Sequence, residues 1–190
     1  MFVVRRVAKT NLPPQRARPA LRQAGFTLIE VLVAALLLSI GLVGLAGLQG
    51  ASLMNNQSSF MRSQVTALAY DLADRMRANV PGANANAYNP ANAAVVSACK
   101  TTAGCTQQQL AQNDLAEWNA AITTYLPMSA GWVCIDSTPD DGTYDGVTVV
   151  PQCDGNGTQF TIKIWWDDDR DGAINLTAVN TERFSITYQL

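Results

Sequence analysis

The sequence has no histidine among its 190 residues. This absence excludes Ser–His–Asp triads, imidazole general bases and zinc sites with histidine ligands. The remaining carboxylates lie in predicted loops and do not group into a catalytic pattern. The sequence therefore favours a protein that is not an enzyme.

Basic residues are scarce outside the first 25 positions. Six of the 13 basic residues precede Gly25 and all 15 acids follow it, so seven basic residues remain against 15 acids and the later part carries a formal charge of −8. Nucleic-acid binding by this acidic part is disfavoured, because neutralising phosphates requires a basic surface. The basic start instead follows the positive-inside rule, in which Lys and Arg stay on the cytoplasmic side of a membrane. A disordered basic tail is the alternative. The six residues are Arg5, Arg6, Lys9, Arg16, Arg18 and Arg22.

One long hydrophobic run, Phe26 to Leu48, carries a single charge, Glu30. A helix of this length, at about 1.5 Å per residue, spans a bilayer. A carboxylate inside such a helix is costly unless it has a partner. A secretory signal would be cut after its apolar core, whereas here the site for a cut lies before it, at Gly25. Cleavage there would keep the helix and create a positive amine for Glu30. The alternative is that Glu30 serves only as an acid in the first turn, where it interacts favourably with the helix dipole.

The four cysteines all lie in the acidic part of the chain. An even number in an exported segment predicts two disulfides, for which three pairings exist. We favour Cys99–Cys105 and Cys134–Cys153, because sequence neighbours close the smallest loops. Free buried thiols are the alternative, and zinc is disfavoured because Cys-x-x-Cys spacing is absent.

The helical pattern continues beyond the hydrophobic run. One apolar stripe predicts an amphipathic helix that ends near Asn79, where Pro81 and Gly82 follow. Four glycines, at three-residue spacing, would allow close helix packing in the apolar half. The stripe consists of Met54, Met61, Val65, Leu68, Leu72 and Met76, and the glycines are Gly41, Gly44, Gly47 and Gly50.

The remainder predicts a short helix followed by strands. Residues 82–98 are expected to form a surface loop, and Thr106 with Gln109 predicts a capping box that starts a helix ended by Pro127. We expect this helix to point Leu110, Leu115, Trp118, Ile122 and Tyr125 toward a core. Strands are predicted at 131–136, 146–150, 159–166 and 182–190, and the last two are expected to pair antiparallel. In the last two strands, Phe160, Ile162, Ile164 and Trp166 share one face, as do Phe184, Ile186, Tyr188 and Leu190. The fold class is α+β, a long N-terminal helix packed on a small antiparallel sheet.

The segment from Gly25 to Ala34, Gly-Phe-Thr-Leu-Ile-Glu-Val-Leu-Val-Ala, resembles the signal of type IV prepilins and type II secretion pseudopilins. The resemblance implies cleavage after Gly25 by a prepilin peptidase, N-methylation of Phe26 and an assembly role for Glu30. It also implies a type IV pilin-like fold. We accordingly expect a cleaved leader at 1–25, a membrane or pilus-core helix at 26–50, its amphipathic continuation at 51–80 and a periplasmic globular domain at 81–190.

The chain as a whole is similar to minor pilins of the PilV type, the type IV pilus modification proteins. The similarity rests on residues 67–79 and on the strands around 164–167 and 184–190. It implies a minor pilin that helps to prime pilus assembly, with the peptidase, other minor pilins, the major pilin and the inner-membrane assembly platform as partners. It implies a single-pass inner-membrane location before the subunit joins the pilus, near its tip. Two alternatives remain, a minor pseudopilin of type II secretion and a membrane-anchored binding domain that is never processed.

The segment that starts at Asp167 contains Asp-x-Asp-x-Asp-Gly, the first half of a calcium loop of the EF-hand kind. Its candidate ligands are Asp167, Asp169 and Asp171, and Asn175 would add another oxygen. The glutamate that usually completes such a loop is replaced by Ala178. The alternative is a solvated turn between two strands. No other cofactor is expected.

Overall fold

A computed structural model describes residues 25–176 and 182–190. The predicted leader, apart from Gly25, and the position of Ala178 lie outside these residues. The chain divides into two units, Met1–Ala46 and Gly47–Leu190. Helix α1 begins in the first unit, and all other helices and strands belong to the second.

Helix α1 runs over Leu28–Ala78 and contains 51 residues, which agrees with the long helix predicted from the apolar pattern. Its C-terminal half buries one face in the second unit, through Met61, Val65, Leu68, Ala69, Leu72, Ala73 and Met76. The sequence pattern placed Met54 in the apolar stripe of this amphipathic half, but its side chain is 65% exposed, so that prediction was wrong. The buried stripe therefore starts two turns later than its sequence period indicates.

A second short helix, α2 (Val80–Asn84), follows α1 directly. The Asn79 side chain accepts a hydrogen bond from the Gly82 N–H at 3.2 Å and so caps α2, while Pro81 occupies its first turn. Proline and glycine therefore start a new helix here, where the sequence predicted a surface loop. Part of that segment is also buried, including Ala83, Ala87 and Tyr88. Short 3₁₀ turns lie at Pro90–Asn92 and Ser97–Lys100.

Helix α3 (Gln107–Tyr125) begins with the predicted capping box between Thr106 and Gln109. Its buried face includes Leu115, Trp118 and Ile122. Leu110 is only half-buried, and the prediction for Tyr125 was wrong because that ring is 61% exposed. The Trp118 indole Nε1 donates to the Leu68 carbonyl at 2.9 Å, which ties α3 to the buried half of α1.

The sheet has three antiparallel strands in the order β1 (Ala130–Ile135), β4 (Phe160–Trp165) and β5 (Arg183–Tyr188). The predicted antiparallel pairing of the last two strands is present, with Ile162 opposite Ile186. The predicted strand at 146–150 is shorter, because β3 (Val149–Val150) pairs only with β2 (Thr143–Tyr144) in a separate ribbon. Leu190 lies beyond β5 and is 36% exposed, so it does not extend that strand's apolar face as predicted.

One face of the sheet packs on the helices. Gly131 in β1 allows this close approach, since an added Cβ would lie 2.4 Å from the Trp118 ring and 2.5 Å from Ile122 Cδ1. On the neighbouring strands, Phe160 and Tyr188 stack with centroids 5.9 Å apart, and Arg77 of α1 lies 5.5 Å from the Tyr188 ring centroid. The fold is thus the expected α+β arrangement, with the sheet on the amphipathic half of the long helix.

The other face of the sheet is covered as well, which the sequence did not predict. Thr161, Lys163 and Trp165 of the central strand are all fully buried. The loop between β1 and β4 contacts two of them, Thr161 through the Asp136 carbonyl and Lys163 through Asp136, Asp141 and the Pro151 carbonyl. A disulfide joins Cys134 in β1 to Cys153 in this loop, and a second joins Cys99 to Cys105. These pairings are the two that sequence proximity favours.

Candidate processing and assembly site

The start of α1 is an exposed, non-helical tripeptide followed by a capped helix. Gly25, Phe26 and Thr27 precede the first helical residue, Leu28. The Glu30 backbone N–H donates to Thr27 Oγ1 at 3.3 Å and to the Thr27 carbonyl at 3.1 Å. Thr27 therefore caps the helix, a role that sequence reasoning missed although Thr-x-x-Glu spacing is its signature.

The Gly25–Phe26 peptide lies open to solvent. Phe26 is 83% exposed, and an added Cβ on Gly25 would have no described atom within 4 Å. Packing among the residues that the structure describes therefore does not require glycine at this position. A requirement for glycine here must come from a molecule that recognises the peptide from outside.

Glu30 lies in the third position of the helix, and its carboxylate is solvent-exposed. Among the described residues it forms no ion pair, and the helix around it is apolar on every side. An acid in the first helical turn interacts favourably with the helix dipole by about 0.3–1 kcal/mol. That gain is smaller than the cost of placing an unpaired carboxylate in an apolar medium.

The apolar half of α1 has no cover in the described chain. Every residue from 25 to 57 is exposed, and the most apolar stretch of 18 residues has a mean hydropathy of 2.6. By length and composition, α1 is the one helix in the described ranges able to cross a membrane. Large exposed side chains such as Leu36, Leu37, Leu38 and Ile40 would be unfavourable in water.

The four glycines predicted to allow close helix packing also face open space. An added Cβ on Gly41, Gly44, Gly47 or Gly50 would meet no described atom within 4 Å. Glycine lowers helix stability by about 1 kcal/mol relative to alanine in water. No contact within the described chain compensates for this cost.

Charged side chains also form clusters in the second unit. The calcium candidates Asp167, Asp169 and Asp171 come together, with one oxygen from each within 4.8 Å of the others. A second cluster, which sequence reasoning missed, joins the buried ammonium of Lys163 to the carboxylates of Asp136 and Asp141. The only signal for it was a lysine inside a strand with apolar residues on either side.

Two family models match the chain. The model for the prokaryotic N-terminal methylation motif matches residues 21–46, and the model for the type IV pilin Tt1218 matches residues 47–116. The two matches adjoin and together cover residues 21–116, from before α1 into α3. No curated protein and no solved structure matches the chain.

The fold and the site define a pilin-like subunit, with an N-terminal methylation signal, a bare apolar helix and a small α+β head. The chain belongs to the type IV prepilin family. Members of this family are structural subunits and not enzymes. The methylation motif implies processing by a prepilin peptidase and association with a membrane or a pilus.

Proposed function

We propose that this protein is a minor pilin of the PilV type, which enters the type IV pilus and helps to prime its assembly. The observation that carries the proposal is the Glu30 carboxylate, exposed and without a described ion-pair partner on an apolar helix. A carboxylate in this apolar environment would be stabilised if a second subunit supplied the opposite charge.

Processing would create that charge. Cleavage after Gly25 leaves an α-amino group on Phe26, which is positive at neutral pH and stays so after N-methylation. Glu30 of an arriving subunit then pairs with the amine of a subunit already in the filament. A charge buried in an apolar core is strongly destabilising when its partner is missing. Subunits that assemble in a wrong register would leave such a charge unpaired and would therefore be disfavoured.

The helix and the head would have separate environments. Residues 26–50 would lie in the inner membrane before assembly and in the pilus core afterwards, where the glycines permit close packing of helices. Residues 51–80 continue the helix into the head, and residues 81–190 complete the head in the periplasm. The basic leader holds the N-terminus in the cytoplasm. The disulfides suit an oxidising periplasm.

The proposed partners follow this route. The prepilin peptidase removes residues 1–25 and methylates Phe26, and the inner-membrane platform takes up the mature subunit. Other minor pilins and the major pilin contact the apolar helix, and we place the subunit near the pilus tip.

Intact-mass analysis of the protein extracted from its native membrane tests the processing step. We expect the mass of residues 26–190 with both disulfides formed, that is, without the four thiol hydrogens, and with one added methyl group. A Gly25→Leu variant should keep its leader, whereas the control Gly50→Leu should still be cut. An unprocessed wild-type chain would contradict the proposal and favour a membrane-anchored binding domain.

A Glu30→Gln variant tests the assembly step, because it keeps the shape of the side chain and removes its charge. We expect normal processing, retention in the inner membrane and loss from sheared pili. Asp74→Asn, a change on the exposed face of α1 in the head, serves as the matched control. Normal recovery of Glu30→Gln in pili would refute the proposed pairing.

A deletion strain separates the pilus from a secretion pseudopilus. A pilus role predicts loss of piliation and twitching motility with normal secretion of exoproteins. The reverse phenotype would favour the alternative, a minor pseudopilin of a type II secretion system.

A further inference from the structure

The connection that follows β4 forms a tight acidic loop, residues 167–173. Asp167, Asp169 and Asp171 each bring one carboxylate oxygen within 4.8 Å of the others. Gly172 has a φ of +85°, and its N–H donates to Asp167 Oδ2 at 2.9 Å, so the chain turns back around the carboxylates. Repulsion between three negative groups at this distance is unfavourable without a cation.

Asp167 gives the independent indication of a ligand. It is 3% exposed, and its Oδ1 atom has no hydrogen-bond partner among the described residues. Its backbone N–H donates to the Pro127 carbonyl at 3.1 Å, which fixes its position next to buried Trp166. Buried carboxylate oxygens are normally paired or bound to a metal.

The nearby arginines do not neutralise the cluster. Arg62 pairs with Asp168 at 3.4 Å, and the Arg170 guanidinium lies against the Gln57 side-chain amide, whose oxygen accepts from it once the amide is turned to the orientation that satisfies both groups. In the described ranges, Asp167, Asp169 and Asp171 form no ion pair. Asp167 thus keeps one buried oxygen without a hydrogen-bond partner, in a residue whose carboxylate is grouped with those of two further acids.

We propose that this loop binds a calcium ion through Asp167, Asp169 and Asp171. Oxygen-only donors favour a hard cation, and the protein has no histidine or free cysteine for zinc. Ca²⁺ accepts irregular oxygen shells, whereas Mg²⁺ requires near-ideal octahedral geometry. Ala173 stands at the loop position that supplies a backbone carbonyl in EF-hand loops, and water completes the shell.

Glu182, near the end of the connection, is not placed as a ligand of this site. Glu182 accepts hydrogen bonds from the backbone N–H groups of Asp168, at 3.2 Å, and Asn175. It therefore shapes the loop and does not replace the ligand absent at Ala178, which lies outside the described residues. With three carboxylates only, we expect a dissociation constant of roughly 10⁻⁴–10⁻³ M, the range of extracellular calcium modules.

Calcium would also fix the loop against α1. Asp168, between two of the ligands, accepts hydrogen bonds from Ser58 Oγ at 2.5 Å and from Trp166 Nε1 at 2.9 Å. An ordered loop holds these contacts in place. The ion should therefore stabilise the head, and this expectation does not depend on pilus assembly.

The test uses the full chain in detergent, freed of metal with chelating resin. We expect CaCl₂ to raise the melting temperature and Tb³⁺ to give luminescence sensitised by Trp166, which CaCl₂ then quenches by displacement. MgCl₂ at the same concentration should do neither. Asp169→Ala should weaken calcium binding at least tenfold, and Asp74→Ala, an exposed acid on α1, should bind as the wild type does.

Asp167→Asn supplies a second readout that does not rely on binding. Without metal this variant should melt at or above the wild-type temperature, because it removes an unpaired buried charge, and calcium should no longer shift its melting. An equal loss of stability with and without calcium would overturn the proposal. So would the absence of any wild-type response to about 10 mM CaCl₂, tenfold above the weak end of the expected range, or unchanged binding by Asp169→Ala.

Discussion

The Lys163 ammonium lies 2.6 Å from a carboxylate oxygen of Asp136, and neither side chain has any solvent exposure. Asp141 also contacts this ammonium, and the Pro151 carbonyl accepts a hydrogen bond from it at 2.9 Å. Lys163 belongs to the central strand, whereas its three partners belong to the loop that covers the outer face of the sheet. The cluster thus joins strand and loop through one buried cation.

Replacing Lys163 by methionine should lower the free energy of unfolding by about 3–5 kcal/mol, because two carboxylates then lose their buried counter-charge. Urea unfolding of the full chain in detergent, followed by tryptophan fluorescence, measures this loss. Lys100→Met is the matched control, since Lys100 is 60% exposed and pairs with Glu117 at the surface. Such pairs contribute about 0–1 kcal/mol. Equal losses in the two variants would show that the cluster is no stronger than a surface pair.

The sequence predicted the elements whose signals are local. The apolar period predicted α1, the Thr106–Gln109 spacing predicted the start of α3, and strict alternation predicted the strands β4 and β5. In each case the residues that determine the element lie within a few positions of one another. The resemblance at 25–34 similarly depends on a contiguous motif.

Predictions failed where distant segments decide burial. Lys163 alternates with Ile162 and Ile164 in β4, and this pattern does not predict its burial, because the covering loop leaves no periodic signal in the strand. Met54 fits the apolar stripe of α1, but it lies beside the polar loop at 168–170 and stays 65% exposed. The Asn79 side chain caps α2 and also donates to the Gln107 carbonyl at 2.8 Å, a contact with a segment far along the chain that the local sequence does not predict.

The disulfides should differ in their contribution to stability. Cys134–Cys153 closes a sequence separation of 19 residues and Cys99–Cys105 one of 6. Loop-closure entropy predicts losses of about 3 and about 2 kcal/mol when each pair is replaced by serine. Thermal unfolding of the two double variants under identical conditions tests this order. A larger loss for the 99–105 pair would show that contacts in the folded state outweigh chain entropy.

Gly131→Ala should destabilise the head by about 1–3 kcal/mol, the usual cost of overpacking a core. The added methyl would meet Trp118 and Ile122, so β1 or α3 would have to shift. Gly50→Ala is the control, because an added Cβ there meets no described atom within 4 Å. Urea unfolding should show a loss for Gly131→Ala alone. A neutral result would mean that the Trp118 side chain adapts without cost.

Glu117 should make stability depend on pH below about 5. Hydrogen bonds from Lys100, Arg75 and Asn113 lower the pKa of this carboxyl from 4.5 to about 2 in the folded protein. A lowered folded-state pKa means that the stabilisation is complete above the unfolded value, near 4.5, and is lost as the pH falls toward 2. Since the side chain is 32% exposed, solvent screening limits the effect to about 1 kcal/mol or less.

Comparing wild type with Glu117→Gln isolates this contribution, because every other acid titrates in both proteins. The wild type should be more stable at pH 6, and the difference in unfolding free energy should shrink steadily between pH 5 and pH 2. In a Lys100→Met background the same difference should be smaller at pH 6, since the strongest of the three hydrogen bonds is already absent. A wild-type advantage that stays constant down to pH 2 would mean that the three donors stabilise the neutral amide as well as the carboxylate, and that the ionised form of Glu117 has no special place in the network.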